Sequence, residues 1–288
     1  EPQLLPLRLM AQVHRWVLCG ELPELAAHYP TAGGTLPPDG AWPKFRAACF
    51  GRREELRRLL VSPVQANYVS RCAPLLGGFL LVARRTGLAM RLLEVGCSGG
   101  LLLRWDHYRG APWLPGLFEV PPPLDGEVQV VERRGCDPQP IDPTTAEGAL
   151  LLKAFLYADM VEEFRRLEEA IEVCRRVPAQ VDQADGADWL PEQLARPRPG
   201  TVTVVFHSLL LNQPSEASLA RMGKAIQRAA AAATPEAPVA WLRFEQPLMP
   251  DWSRGLQPFE VRLALWPGGD DRLVATGHLF GGEVRWLG

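Results

Sequence analysis

From Met90 onward the chain alternates short apolar runs with helical stretches, and that alternation restricts the possible folds more than any other feature. Residues 90–95 (MRLLEV), 128–132, 179–181, 201–206 (TVTVVF) and 239–244 have the length and apolar content of buried strands. Helical patterning separates them at 101–108, 146–176 and 216–233. Strands joined through helices predict a parallel, doubly wound sheet, because parallel neighbours require long crossovers. Residues 259–266 (FEVRLALW) and 272–278 (RLVATGH) flank a turn-rich link of hairpin length at 267–271, and 284–286 reads as a further edge strand. The expectation is an α/β fold with five parallel strands and a C-terminal antiparallel hairpin.

The first ninety residues have a different texture. Apolar residues recur at helical spacing over 5–18, over 42–60 (Phe45, Cys49, Leu56, Leu59, Leu60) and over 65–85 (Val69, Cys72, Leu76, Phe79, Leu80). Residues 29–39 are dense in Pro and Gly and read as a loop, and no strand is evident before Ala89. A helical cap over 1–88 and an α/β domain over 89–288 follow. The formal net charge of −2 supplies no general attraction for nucleic acid or an anionic membrane, so neither is expected as a partner. Six scattered cysteines without a C-x-x-C pair have the spacing of neither a zinc site nor a disulfide framework. Dispersed thiols fit a reducing cytosol, which makes a cytoplasmic location the expectation. No uncharged apolar run approaches the roughly 20 residues that span a bilayer. The chain opens on Glu1 instead of Met, which leaves a removed upstream segment open.

The densest local signal is Glu94-Val95-Gly96-Cys97-Ser98-Gly99-Gly100, placed where the first expected strand gives way to a helix. A glycine turn there lets a ligand approach the backbone and the unpaired N–H groups of a helix start. The dinucleotide fingerprint G-x-G-x-x-G does not match, because Ser98 stands at its second glycine. A hydrolase elbow G-x-S-x-G matches literally, with Ser98, Asp251 and His278 in a plausible chain order. Against it, ninety helical residues precede the motif where that fold has strands. The segment is also similar to the first motif of class I S-adenosylmethionine-dependent methyltransferases, (E/D)-x-G-x-G-x-G. Glu94, Gly96 and Gly100 hold its outer positions, and Ser98 replaces the middle glycine. The plain alternative is a strand–helix packing turn without a ligand.

The runs LLEVGCSGG, VVERRGCDPQPIDPT, TVVFHS, WLRFE and RLALWPGGDDRLVATGH together resemble an uncharacterised bacterial family, domain of unknown function 2332. The resemblance spans nearly the whole chain. It implies a methyltransferase-like fold with an N-terminal helical region, S-adenosylmethionine as cofactor and a small-molecule substrate, and leaves a protein partner open. Two positions depart from the expected pattern: Leu102 replaces a polar amide, and Leu211-Asn212 replaces an aromatic-glutamine step.

Further candidates lie at the ends of the expected strands. Asp137 closes the second, where a doubly wound sheet places an acid able to accept both ribose hydroxyls; Asp-Pro is equally an ordinary turn starter. Asp185 and Gly186 follow the third strand, where the methyltransferase fold reaches the adenine amino group. Asp188 looks the more obvious cap for a helix starting at Trp189, which leaves Asp185 for a ligand. His207, a candidate proton acceptor, and Ser208 end the fourth strand, and Glu245 ends the fifth. In the cap, Asn67 and Arg71 lie four apart on an expected helix, Arg71 suited to a substrate carboxylate. A solvated polar face explains that pair equally well.

Overall fold

The computed structural model describes residues 4–60, 64–210, 214–247 and 258–288. The chain divides into two compact units, Glu1–Tyr68 with Ile141–Arg175, and Val69–Pro140 with Arg176–Gly288. This division does not follow a single boundary at residue 88. The helix after Tyr68 groups with the sheet, and the long insertion between two strands groups with the N-terminal helices.

The helical unit contains α1 (Leu5–Leu18), α2 (Pro23–Ala26), α3 (Ala41–Gly51), α4 (Arg53–Leu59), α6 (Ala146–Ala154) and α7 (Val161–Arg176). The periodic stretch 42–60 is broken at Arg52, just after Gly51, and 146–176 is broken between α6 and α7. Val13, Trp16 and Val17 on α1 bury against Leu25, Tyr29 and Leu56, which is the stripe the spacing predicts. No helix among the described residues is long and apolar enough to cross a membrane.

The sheet unit begins with α5 (Cys72–Thr86), then β1 (Ala89–Val95), β2 (Phe118–Val120), β3 (Val130–Asp137) and β4 (Gln180–Gln183). It continues through α8 (Gly186–Gln193), β5 (Thr201–Ser208), α9 (Glu216–Ala231), β6 (Val239–Glu245), β7 (Phe259–Trp266), β8 (Arg272–Gly277) and β9 (Val284–Trp286). The nine strands form one sheet in the order β2-β9-β8-β7-β6-β5-β1-β3-β4. β4, β3, β1, β5 and β6 run parallel, as the alternation predicts, and β7 and β8 follow antiparallel. β9 is not an edge strand: the three-residue β2, too short for any periodicity, pairs along its outer side.

After β1 the chain places β2 at the far edge of the sheet, then β3 beside β1 and β4 beyond it, and returns to β5 on the other side of β1 before continuing to β6. The crevice between the carboxyl ends of β1 and β5 is therefore the switch point of the sheet. Successive strand residues face opposite ways, so Val205 packs among α8 and α9 residues while Phe206 meets Phe79 of α5. Helices thus cover both faces of β5.

The expected helix over 65–85 starts only at Cys72, after a single 3₁₀ turn at Val69–Arg71. A helix drawn through Pro74 would press its ring on the Ser70 carbonyl four residues back, so the pattern cannot extend through that point. Asn67 and Arg71 accordingly share no helical face: Asn67 lies in an irregular segment of the helical unit and Arg71 in the sheet unit.

Phe79 organises the α5 face, stacked on Trp105 at 4.4 Å and edge-on to Phe206 at 5.2 Å, with all three rings buried. Phe79→Ala should lower unfolding free energy by about 3–5 kcal/mol in urea titrations. A loss below about 1 kcal/mol would mean that this stack does not hold α5 to the sheet.

Candidate functional site

The glycine turn sits at the carboxyl end of β1 and is tied to β3. Gly96 and Cys97 both donate their N–H to the Cys136 carbonyl, at 2.9 and 3.1 Å. Gly96 has φ +71° and Gly100 φ +65°, values that favour glycine. Ser98 lies between them with φ +50°, so the middle position keeps a glycine conformation although a side chain is present. That conformation costs of order 1 kcal/mol in a non-glycine residue. It also turns the Ser98 N–H toward β3, where it donates to Asp137 Oδ2 at 2.9 Å.

Asp137 therefore faces the turn, while its Oδ1 accepts from the Gln139 N–H at 2.8 Å. An ionised carboxylate has about four acceptor positions, and two backbone donors leave room for two more. Arg104 braces the turn from behind, its Nη1 donating to the Gly100 carbonyl and its Nε to that of Val177, each at 2.7 Å. The Tyr108 hydroxyl donates to the Leu101 carbonyl at 2.9 Å. Arg104 and Tyr108 carry no motif signal; their role exists only through contacts distant in sequence.

Glu94 is 3% exposed and lies on the strand face opposite Val95, with Oε2 unpartnered. Burial pushes its carboxyl well above the usual range; Arg104 opposes that, Asp137 adds to it, and a backbone hydrogen bond from Leu103 offsets part. Burial likewise raises the Cys97 thiol, and takes that of Cys136 to about 12, so neither is poised as a nucleophile.

His207 and Glu245 meet on the α8–α9 face of the sheet. His207 Nδ1 lies 2.7 Å from Glu245 Oε1, which also accepts the Leu210 N–H at 2.7 Å. The Trp241 indole N–H points at His207 Nε2 from 3.1 Å. An indole only donates, so Nε2 is the acceptor and the imidazole proton sits on Nδ1. Both ring nitrogens are thereby occupied. Ser208 points to the opposite, α5 face, and its buried Oγ has no hydrogen-bond partner among the described residues. The two neighbours on β5 thus serve different sides of the sheet.

The structure corrects the reading of Asp185. It is the N-cap of α8, Oδ1 accepting the Ala187 N–H at 2.8 Å, whereas Asp188 lies within the first turn and pairs with Arg221. Gly186 is buried so that α8 can close on β1: a Cβ there would stand 2.4 Å from Val95 Cγ1 and 3.0 Å from Met222 Sδ. A Cβ on Gly96 would likewise meet Leu210 Cδ1 at 2.7 Å, so Leu210 covers that side of the turn. Arg71 is 8% exposed and its Nε donates to the Leu279 carbonyl at 3.3 Å.

Of the hydrolase constellation, Ser98 and His278 lie far apart in the sheet. β8, which leads into His278, is four strands from β1, roughly 19 Å at the usual strand spacing. Asp251, Leu211 and Asn212 lie outside the described residues. Leu102 is buried at 2% exposure. Among the described residues no group of three or more His, Cys, Asp or Glu is arranged to hold a metal ion.

A family model described as "Uncharacterized protein conserved in bacteria (DUF2332)" matches residues 1–112 and 115–286. No curated protein matches the chain.

Glu94→Gln isolates the buried acid. The folded protein holds this proton above pH 4.5, where the unfolded chain releases it. Stability should therefore fall as pH rises from 4.5 toward the folded value, by up to about 1.4 kcal/mol per unit. Urea midpoints against pH should show that decline in the wild type and a flatter profile in Glu94→Gln. Superimposable profiles would mean that Glu94 is ionised in the fold.

Proposed function

The chain belongs to the DUF2332 family of proteins conserved in bacteria, and we propose that it binds S-adenosylmethionine at the switch point and transfers its methyl group to a small molecule. The observation that carries this reading is the Asp137 carboxylate, aimed at the glycine turn and holding the Ser98 N–H. A ribose presents two vicinal hydroxyl donors, and Asp137 retains two acceptor positions beside a turn in which Gly96 is exposed and Ser98, Gly99 and Gly100 are buried. The sheet order supports the same fold assignment, with five parallel strands reversing direction of travel at β1 and an antiparallel continuation.

The cofactor's sulfonium supplies an already activated methyl group. The protein's share is alignment and exclusion of water. Gly96 and Gly100 keep the backbone close to the ligand, Ser98 fixes the turn to Asp137, and Arg104 holds the Gly100 carbonyl in place. Asp185 is exposed and keeps Oδ2 beyond its cap bond, so it can still reach an adenine amino group. His207 serves best as a positioning residue, joining β5 to β6 and, through Glu245, setting Leu210. It becomes a proton acceptor only if Trp241 moves aside. Ser208 and Arg71 remain the candidates for substrate contact.

A second reading, the same fold acting as a binding or partner subunit without turnover, is favoured by the occupied Nε2 of His207. Size-exclusion of the native protein with its genomic neighbours separates the two, a lone active monomer counting against it.

Calorimetry with S-adenosylmethionine and S-adenosylhomocysteine tests the binding step. Saturable binding is expected, weakened about 10- to 100-fold in Asp137→Ala through loss of charge-assisted hydrogen bonds. Asp137→Asn, which retains an oxygen for the Ser98 N–H, should stay folded and still bind more weakly than wild type. No heat at millimolar ligand from demonstrably folded protein contradicts the reading.

A further inference from the structure

The amino-terminal edge of the sheet carries a cavity of about 300 Å³ under α8 and α9. Its lining contains four arginines, Arg91, Arg196, Arg198 and Arg228, and no carboxylate. Arg91 is the third residue of β1, five residues before Gly96, so the cavity lies roughly 17 Å along the strand from the glycine turn.

Two of its polar groups are buried in the floor. Arg91, 3% exposed, donates through Nε to Glu132 and through its two Nη atoms to the backbone and side chain of Gln193. Five N–H groups less three leave two for a ligand. Thr203, 5% exposed, has a hydroxyl with no hydrogen-bond partner among the described residues. Burial lowers the Arg91 guanidinium, Glu132 opposes that, and like charge from Arg198 and Arg134 adds to it.

Arg196, Arg198 and Arg228 are exposed, and their side chains make no hydrogen bond or ion pair among the described residues. Basic residues near the carboxyl ends of helices ordinarily bind the terminal carbonyls and offset the helix dipole. Arg228 lies in the last turn of α9, where it offsets the helix dipole, and none of the three makes a side-chain hydrogen bond to a terminal carbonyl among the described residues. A chain with a formal net charge of −2 thus gathers four guanidinium groups at one pocket, of which Arg91 is paired with Glu132.

We infer that this pocket binds a small organic phosphate, the guanidinium groups and the Thr203 hydroxyl taking the phosphoryl oxygens. Planar guanidinium forks match tetrahedral oxyanions in paired hydrogen bonds, and several together favour a multiply charged group over a single carboxylate. The cavity holds about ten water volumes at ~30 Å³ each, more than a bare phosphate occupies. Ala225 and Ala229 on α9 and Ala232 at its C-cap wall the remainder with short side chains, leaving room for an apolar or planar body.

Thermal melting of the full chain at fixed ionic strength tests this, with inorganic phosphate, pyrophosphate and phenyl phosphate as probes. Pyrophosphate and phenyl phosphate should raise Tm saturably, phosphate more weakly. Arg198→Gln and Arg228→Gln, both exposed and remote from the core, should each weaken the apparent affinity at least tenfold without lowering the ligand-free Tm. Asp137→Ala should leave this binding unchanged, which separates it from the nucleoside site. An equal shift with matched sodium chloride, no saturable shift by 10 mM ligand, or wild-type affinity in the Arg198→Gln/Arg228→Gln pair would each overturn the inference.

Discussion

A single hydrogen bond, from the Ser98 N–H to the Asp137 carboxylate, fixes how the first parallel pair of strands presents its carboxyl edge. β1 and β3 are adjacent and parallel, and the Cys136 carbonyl already receives both Gly96 and Cys97. The turn must then leave the ladder within two residues, which the left-handed backbone at Gly96, Ser98 and Gly100 allows. A carboxylate one residue past Cys136 meets the N–H that this reversal exposes. The outcome is a carboxylate beside the exposed Gly96, at the place where an open α/β sheet accepts ligands.

The sheet separates the remaining polar groups by face. Glu94 and Ser208 lie toward α5, and His207, Trp241 and Glu245 toward α8 and α9. Leu210 lies over Gly96 because its N–H is held by Glu245, so the His207–Glu245 pair acts on the turn through a leucine. Side chains four residues or fewer apart in sequence can therefore have unrelated roles, and residues 39 apart, such as Ser98 and Asp137, share one.

β1 and β5 are legible because strands buried on both faces carry long apolar stretches, and these two are buried along nearly their full length, whereas β3 and β4 are polar and only partly buried. α1 is equally plain, since a clear apolar stripe buries its second half, from Ala11 to Val17. The glycine turn and Asp137 were legible from their place at strand ends. What escaped was non-local. β2 has three residues and owes its existence to β9. The 65–85 periodicity ran through Pro74 and concealed a helix start at Cys72. The occupied state of His207 depends on Trp241, 34 residues away, and the brace from Arg104 ends on Val177. The cap at Asp185 was misassigned because Asp188, three residues later, satisfies the same composition rule.

A crystal structure with S-adenosylhomocysteine bound would decide most directly whether that carboxylate reads a ribose. The account predicts both ribose hydroxyls within hydrogen-bonding distance of Asp137, with the Ser98 N–H still on Oδ2. A nucleoside seated elsewhere, or a glycine turn left bare at saturating ligand, would contradict it.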